Sequence, residues 1–404
     1  MTTMLMISRY CGFDTARYAG SQIHNYYLKR LCRDFEVKLV TVASPEDAAF
    51  LDFAKYGIDA DVIFIDERPQ RALFFLIFNW RNIFNYFGKT MGLTNGYVQR
   101  RVRKRLKTLQ SQGYRPDCIL LEWTQIVLMV GSIKKLFPDA KYIGLENDVS
   151  FLRYQRFYAA ARGMNAIKER LRFQSAKKIE ISSLRQVDLI VTLNEKDKTL
   201  LIDHGFRPQS IHPIAPYYID YGDVRYNPLG KAIFFFGAMD RPENYLSIAW
   251  FIEQVFHPPL AAEFILYIVG ARPHPSLEKY RSERIIITGF VPDIRPYLDA
   301  SVCMVAPILS GAGIKVKVIE VMSAGLPVIG NDIAIEGIPA IDGKHYLHAE
   351  TPEEYLRVFD SIRAGRIDLR ALSNNAKKLI AHSFNLEESY KSYRQAIMRM
   401  CGNL

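Results

Sequence analysis

The clearest chemical arrangement in this sequence is a small-residue loop followed by cations and a carboxylate, Leu309-Ser-Gly-Ala-Gly-Ile-Lys-Val-Lys-Val-Ile-Glu320. Gly311, Ala312 and Gly313 leave room for a ligand to approach the backbone. Lys315 and Lys317 then stand at the start of a helix, where free amides and the helix dipole already favour an anion. Glu320, one turn on, can point a carboxylate at a diol such as a ribose. The same residues also suit an ordinary βαβ turn with solvated lysines and a surface glutamate. A second loop follows Phe234-Phe-Phe-Gly237: Gly237 ends a strand and Arg241 is placed to reach a phosphate, although a solvated loop charge explains Arg241 equally simply. In a third, Thr288-Gly-Phe-Val-Pro-Asp293, the backbone near Val291 can pair with a nucleobase edge.

These loops need strands behind them and helices in front. Short apolar runs alternate with helical patterns along the whole chain: Thr3–Ile7, Val37–Val42, Val62–Ile65, Cys118–Leu121, Tyr142–Leu145 and Leu189–Leu193, then Ala232–Phe236, Phe264–Val269, Ile285–Thr288, Cys303–Ala306 and Pro327–Gly330. Such alternation predicts parallel sheets built from right-handed βαβ units, and the count fits two doubly wound α/β domains whose ligands lie at the carboxyl ends of the strands. The Pro- and Tyr-rich segment 211–223 and Asn227-Pro-Leu-Gly230 have the composition of a linker, so the expected domains are 1–215 and 216–385. Residues 386–404 carry Tyr390, Tyr393, Ile397 and Met400 at helical spacing and predict a terminal helix packing back on the first domain.

The 404 residues are 49% hydrophobic and 24% charged, which excludes disordered and fibrous classes. Lys and Arg exceed Asp and Glu by 53 to 42, a net charge of +11 that favours an anionic partner. The five cysteines have neither zinc nor disulfide-framework spacing, and the start Met1-Thr-Thr-Met-Leu-Met-Ile reads as a strand and not a signal peptide; a reduced, cytoplasmic compartment is expected. No apolar run approaches the roughly 20 residues of a membrane span. Arg100–Lys107 holds six cations and no anion, and Arg71–Phe87 is rich in Phe and Trp, a combination expected at an anionic membrane surface or, more plainly, on a solvated helix beside a buried one.

Taken together, Gly237-Ala-Met-Asp, then Gly289-Phe-Val-Pro-Asp-Ile-Arg-Pro-Tyr-Leu298, then the loop and helix from Gly311 to Ile329 resemble the C-terminal domain of retaining glycosyltransferases of family 4. The resemblance covers about residues 232–350. It implies the GT-B fold, two Rossmann-like domains facing across a cleft, with a nucleotide diphosphate sugar as donor on the C-terminal domain and an acceptor on the N-terminal one. It places Lys315 and Lys317 on the diphosphate and Glu320 on the ribose. Many members carry another glutamate eight residues before this one, near the donor sugar; here that position is Ala312, as in a branch with a Gly-rich loop.

The first half resembles the family less sharply. Gly20 and Ser21 correspond to its first loop and helix start, bringing amides to the donor phosphate or the acceptor. After Tyr142–Leu145, family members often have a histidine beside an aspartate near the reacting sugar, and here Asn147 and Asp148 stand there. An amide cannot act as a general base at neutral pH, so either the mechanism relies little on that group or the activity is altered. The resemblance implies transfer to a saccharide, lipid-linked or protein acceptor in cell-surface polysaccharide or glycolipid synthesis, with no metal or other cofactor. A sugar-nucleotide-binding protein without transferase activity is the alternative. A nucleic-acid partner is not expected, since no helix-turn-helix, zinc or RNA-binding motif is present.

Overall fold

The computed structural model describes residues 1–16, 18–66, 95–227, 229–257 and 260–402; the aromatic stretch 71–87 lies outside them. The chain divides into two compact units, Met1–Tyr217 with Leu386–Leu404, and Tyr218–Asn385. The sequence places the first boundary two residues earlier.

The first unit holds a seven-stranded, all-parallel sheet of β1 (Thr3–Ser8), β2 (Glu36–Ala43), β3 (Asp59–Phe64), β4 (Cys118–Glu122), β5 (Lys141–Glu146), β6 (Leu189–Thr192) and β7 (Ile211–Pro213), in the order β3-β2-β1-β4-β5-β6-β7. Its longer helices are α1 (Ala19–Asp34), α2 (Gly96–Ser111), α3 (Ser150–Ala160), α4 (Gly163–Leu184) and α5 (Glu195–Asp203). Helices on both faces explain why the strands are continuous apolar runs: every residue of β4 is buried. β7 falls inside the expected linker. Pro213, which has no N–H to donate, suits its place at the sheet edge.

The second unit holds a six-stranded parallel sheet of β8 (Ala232–Phe236), β9 (Ile265–Val269), β10 (Ile285–Gly289), β11 (Ser301–Ala306), β12 (Val328–Gly330) and β13 (Leu347–His348), in the order β10-β9-β8-β11-β12-β13. Helices α6 (Pro242–Gln254), α7 (Val316–Ser323), α8 (Pro352–Arg363) and α9 (Leu369–Ser383) accompany it. Ile233, Phe251, Leu266, Val305 and Phe359 belong to its apolar core.

The last helix, α10 (Leu386–Met400), returns to the first unit. Tyr393 and Ile397 are fully buried there, the Tyr390 hydroxyl donates to the Arg30 carbonyl at 2.8 Å, and Arg394 pairs with Asp34 at 2.9 Å. Among the described residues no helix is long and apolar enough to cross a membrane.

Each strand order reverses once, between β1 and β4 in the first sheet and between β8 and β11 in the second. At such a reversal the two following loops diverge to opposite faces and leave a crevice at the carboxyl ends, the usual ligand position in open parallel sheets.

Candidate active site

In the second unit the reversal puts the β8–α6 loop beside the β11–α7 loop. The loops carry Gly237, Arg241, Gly311, Ala312, Gly313 and Lys315, and the start of α7 carries Lys317 and Glu320. Gly270, at the end of β9, shows why small residues collect here: its φ is 149°, and a Cβ would overlap the Gly237 carbonyl. Gly270 N in turn donates to the Gly289 carbonyl at 3.1 Å, so three neighbouring strand ends are knit by backbone alone. Val291 follows β10 at the sheet edge, next to the exposed Phe290.

Helix α7 begins without a side-chain cap, and so does α6. The Lys317 ammonium sits deep between the two loops, donating to Asn244 Oδ1 at 2.7 Å and lying 4.7 Å from the centre of the Phe235 ring. Burial, reinforced by the neighbouring Lys315 charge, pushes the Lys317 amine down to about 7. Lys315 donates to the Gly313 carbonyl at 2.6 Å and lies 3.6 Å from the buried Glu336 carboxylate. Glu320 is buried on the same helix and accepts the Ile219 N–H at 3.2 Å; burial raises its carboxyl to about 7, partly offset by that bond. Arg241 is half exposed and pairs with Glu243. The structure therefore joins Lys317 to the β8 loop through Asn244, a partner that a local reading missed because the two are 73 residues apart.

In the first unit Gly20 and Ser21 begin α1, after β1, and Asn147 and Asp148 follow β5. Trp123, just after the intervening β4, links them: its ring occupies the place a Gly20 Cβ would need, and its backbone N–H donates to the Leu145 carbonyl at 3.1 Å. Trp123 has a φ of 77°, unusual for a residue with a bulky side chain, and meets Tyr10 edge-on at 4.9 Å. Asp148 pairs with Arg153 and accepts from Ser150 Oγ at 3.4 Å. Trp123 Nε1, Gln125 Oε1, Glu146 Oε1 and both amide atoms of Asn147 are buried with no protein hydrogen-bond partner.

Orphaned buried polar atoms are costly, and five of them lie within three residues of two adjacent strand ends. Trp123 and Gln125 belong to no short motif; the abrupt change from the apolar run Cys118–Leu121 to Glu-Trp-Thr-Gln125 is the only sequence signal for them.

Beneath Asn147 lie two acids that the sequence does not single out. Glu146 accepts from Thr124, and Glu180 accepts Ser150 N and Phe151 N, both at 2.8 Å. Burial, and for Glu146 the charge of Glu180, holds the Glu146 carboxyl well above the usual carboxylate range. Burial likewise raises Glu180 to about 8, against the opposing pull of its two backbone donors.

Among the described residues one group has metal-ligand chemistry: Asp332, His348 and Glu350, with ligand atoms within 4.8 Å of one another. Two of the three are exposed, and Glu350 already accepts the Asp332 N–H at 2.9 Å.

Residues 230–361 match the family model described as Glycosyl transferases group 1. No curated protein matches the chain. Among solved structures it is similar to Anabaena HepE in complex with UDP, at 12% identity and a TM-score of 0.66 over 98% of this chain and 100% of that one. It is similar to sucrose-phosphate synthase from Thermosynechococcus elongatus at 14% identity and a TM-score of 0.70 over 100% of both. A third likeness is to a mutant of S. aureus TarM in complex with fondaparinux, α-GlcNAc-glycerol and UDP, at 10% identity and a TM-score of 0.63 over 98% and 99%. The chain thus has the two Rossmann-like domains of the GT-B glycosyltransferase fold, and its second unit carries a match to Glycosyl transferases group 1.

Proposed function

We propose that the chain is a glycosyltransferase that moves a sugar from a nucleotide diphosphate sugar to a hydroxyl acceptor with retention of configuration. The half-buried Lys317, hydrogen-bonded to Asn244 between the β8 and β11 loops, carries this reading. A partly desolvated amine with its pKa brought to about 7 and an uncapped helix start beside it is well suited to a diphosphate, whose charge rises as the glycosidic bond breaks. Lys315 and the amides of Gly311, Ala312 and Gly313 complete the phosphate side. Glu320 takes the ribose hydroxyls and the backbone at Val291 the base; Gly237, on the donor side, makes way for the Asn244 amide that holds Lys317, and Arg241 can leave Glu243 for a phosphate. The acceptor belongs to the first unit, against Trp123, Gln125 and Asn147, with Gly20 and Ser21 at the neighbouring helix start. HepE and TarM, which bind UDP in the solved complexes, make UDP the first donor nucleotide to try.

The acceptor class that fits is a saccharide, free or lipid-linked, in cell-surface polysaccharide synthesis on the cytoplasmic side. On the outer face of α2, Arg100, Arg101, Arg103, Lys104 and Lys107 are exposed, which supports electrostatic attraction to an anionic membrane. Ala312 and Asn147 favour the second reading, nucleotide-sugar binding without transfer.

Thermal shift against nucleotide diphosphates and their sugars, followed by transfer assays with labelled donor, tests both. A donor at 100 times its Kd adds about 2.7 kcal/mol of stability. Stabilisation by UDP with neither transfer nor donor hydrolysis establishes the binding protein, and no stabilisation by any nucleotide overturns both readings.

A further inference from the structure

The α3–α4 hairpin is anchored toward its base, where the half-buried Tyr154 and Phe173 also pack against the apolar core. Ser150 and Phe151 at its start, and Ala176, Glu180, Ser183 and Leu184 near its end, are buried, but no residue from Leu152 to Ser175 is. The two helices hold each other instead, with the Tyr158 and Phe173 rings stacked and Arg172 over the Tyr154 ring. Near the turn the surface is apolar. Met164 is 87% exposed, Ile167 64%, Leu171 55% and Phe157 41%.

Met164, Ile167 and Leu171 are spaced i, i+3, i+7 and so share one side of α4, flanked by Lys168 and Arg170. Between Asp148 and Glu169 the chain has four cations, Arg153, Arg156, Arg162 and Lys168, and no acid. An apolar stripe bordered by cations matches a bilayer carrying anionic headgroups, with the side chains entering the acyl boundary by roughly 5–10 Å. A second copy of this chain would bring the same cations against themselves, so charge disfavours that occupant. Helix α2 differs: its apolar residues Val98, Val102, Leu106 and Leu109 are all turned inward, leaving an outer face that attracts lipid but inserts nothing.

We infer that the tip of the α3–α4 hairpin, through Phe157, Met164, Ile167 and Leu171, is a docking surface for an anionic lipid bilayer. This goes beyond attraction through α2 and does not depend on the donor-site reading. Helix α3 begins three residues after Asn147 and is about 16 Å long, so the docked hairpin keeps Asn147 within roughly one helix length of the lipid.

The test is sedimentation of the full chain with phosphatidylcholine vesicles with and without phosphatidylglycerol. The wild type should sediment with the anionic vesicles only. A Met164→Ser, Ile167→Ser, Leu171→Ser variant should lose on the order of a hundredfold in partitioning. Arg162→Gln with Lys168→Gln should lose about thirtyfold at low salt. These side chains are exposed, so thermal unfolding should be unchanged and serves as the folding control. The indole in Ile167→Trp should shift to the blue on anionic vesicles and be quenched by brominated acyl chains, also when Arg100, Arg103 and Lys107 are changed to Gln. Wild-type partitioning by the triple Ser variant, or an indole that stays in water on bound protein, overturns the proposal. So does a concentration-dependent dimer that the triple variant abolishes while the wild type ignores vesicles, which assigns the face to a second copy.

Discussion

Lys317 donates a 2.7 Å hydrogen bond to Asn244, fastening the first turn of α7 to the first turn of α6 across the strand reversal between β8 and β11. The two helix starts that could face one anion are thereby held together before any ligand arrives, and the ammonium that fastens them is itself poised between charge states near neutral pH.

That poise gives a pH signature. A diphosphate favours the charged amine, so UDP binding should take up a proton above pH 7, and affinity should fall by up to about tenfold per pH unit beyond it. Calorimetry at pH 8 in buffers of different ionisation enthalpy should show the uptake; Lys317→Met should abolish it and weaken binding about ten- to a hundredfold. The same shift affects stability of the free protein. The folded pKa lies below the ordinary 10.5, so the unfolded chain binds the extra proton between pH 7 and 10.5, and this group's contribution to stability rises with pH through that window.

Glu320 is shifted in the opposite sense, to about 7 from an ordinary 4.5, so its contribution to stability falls as pH rises between those values. For function the discriminating comparison is UDP against its 2′-deoxy analogue. Wild type should prefer UDP by about tenfold. Glu320→Gln, which still offers an acceptor to Ile219 N–H, should narrow that preference severalfold. An unchanged preference places the ribose elsewhere.

Asn147 has two amide atoms that are buried and unpaired within the protein, so replacing it removes no internal hydrogen bond. Asn147→Ala should therefore leave the unfolding free energy from urea denaturation within about 0.5 kcal/mol of wild type while lowering transfer by one to two orders of magnitude, roughly the loss of a 1.5–3 kcal/mol hydrogen bond to the reacting sugars. Asn147→His should retain or raise transfer, and donor affinity should barely move in either. Full transfer in the Ala variant shows that the reacting centre lies elsewhere.

Glu146 is held above the usual carboxylate range by burial and by Glu180, so wild-type stability should decline as pH rises from about 4.5 toward the folded pKa. Glu146→Gln keeps an acceptor for Thr124 and cannot ionise. It should gain about 1–3 kcal/mol over wild type at pH 8 and little at pH 5, read from urea denaturation at both. Parallel curves for the two proteins would show that Glu146 carries no such strain.

The strands with long apolar runs were legible because burial on both faces demands such runs, as Ala232–Phe236 and Cys118–Leu121 illustrate. β7 and β13 are three and two residues long and have no periodicity to read. In the donor loop, Lys315, Lys317 and Glu320 stood out because they lie within six residues. Asn244, Phe235 and Glu336 did not, since their roles arise only when separate loops meet. Trp123 was invisible for another reason: nothing in a residue's identity announces a positive φ. Arg241 shows the converse, an attractive cation whose nearest partner, Glu243, stands two residues away.

The first unit is closed by α10, whose residues come from the opposite end of the chain, after the whole of 218–385. During synthesis β1 to β7 emerge long before their last helix, and at about 5–20 residues per second the intervening unit alone takes roughly 10–30 s to be made. Throughout that interval the surface destined for Tyr393 and Ile397 stays uncovered. Deleting α10 should therefore cripple the first unit while sparing the second, which precedes α10 in the chain. A circular permutant that begins at Leu386 and runs on into Met1 should let the first unit finish folding before translation reaches the second.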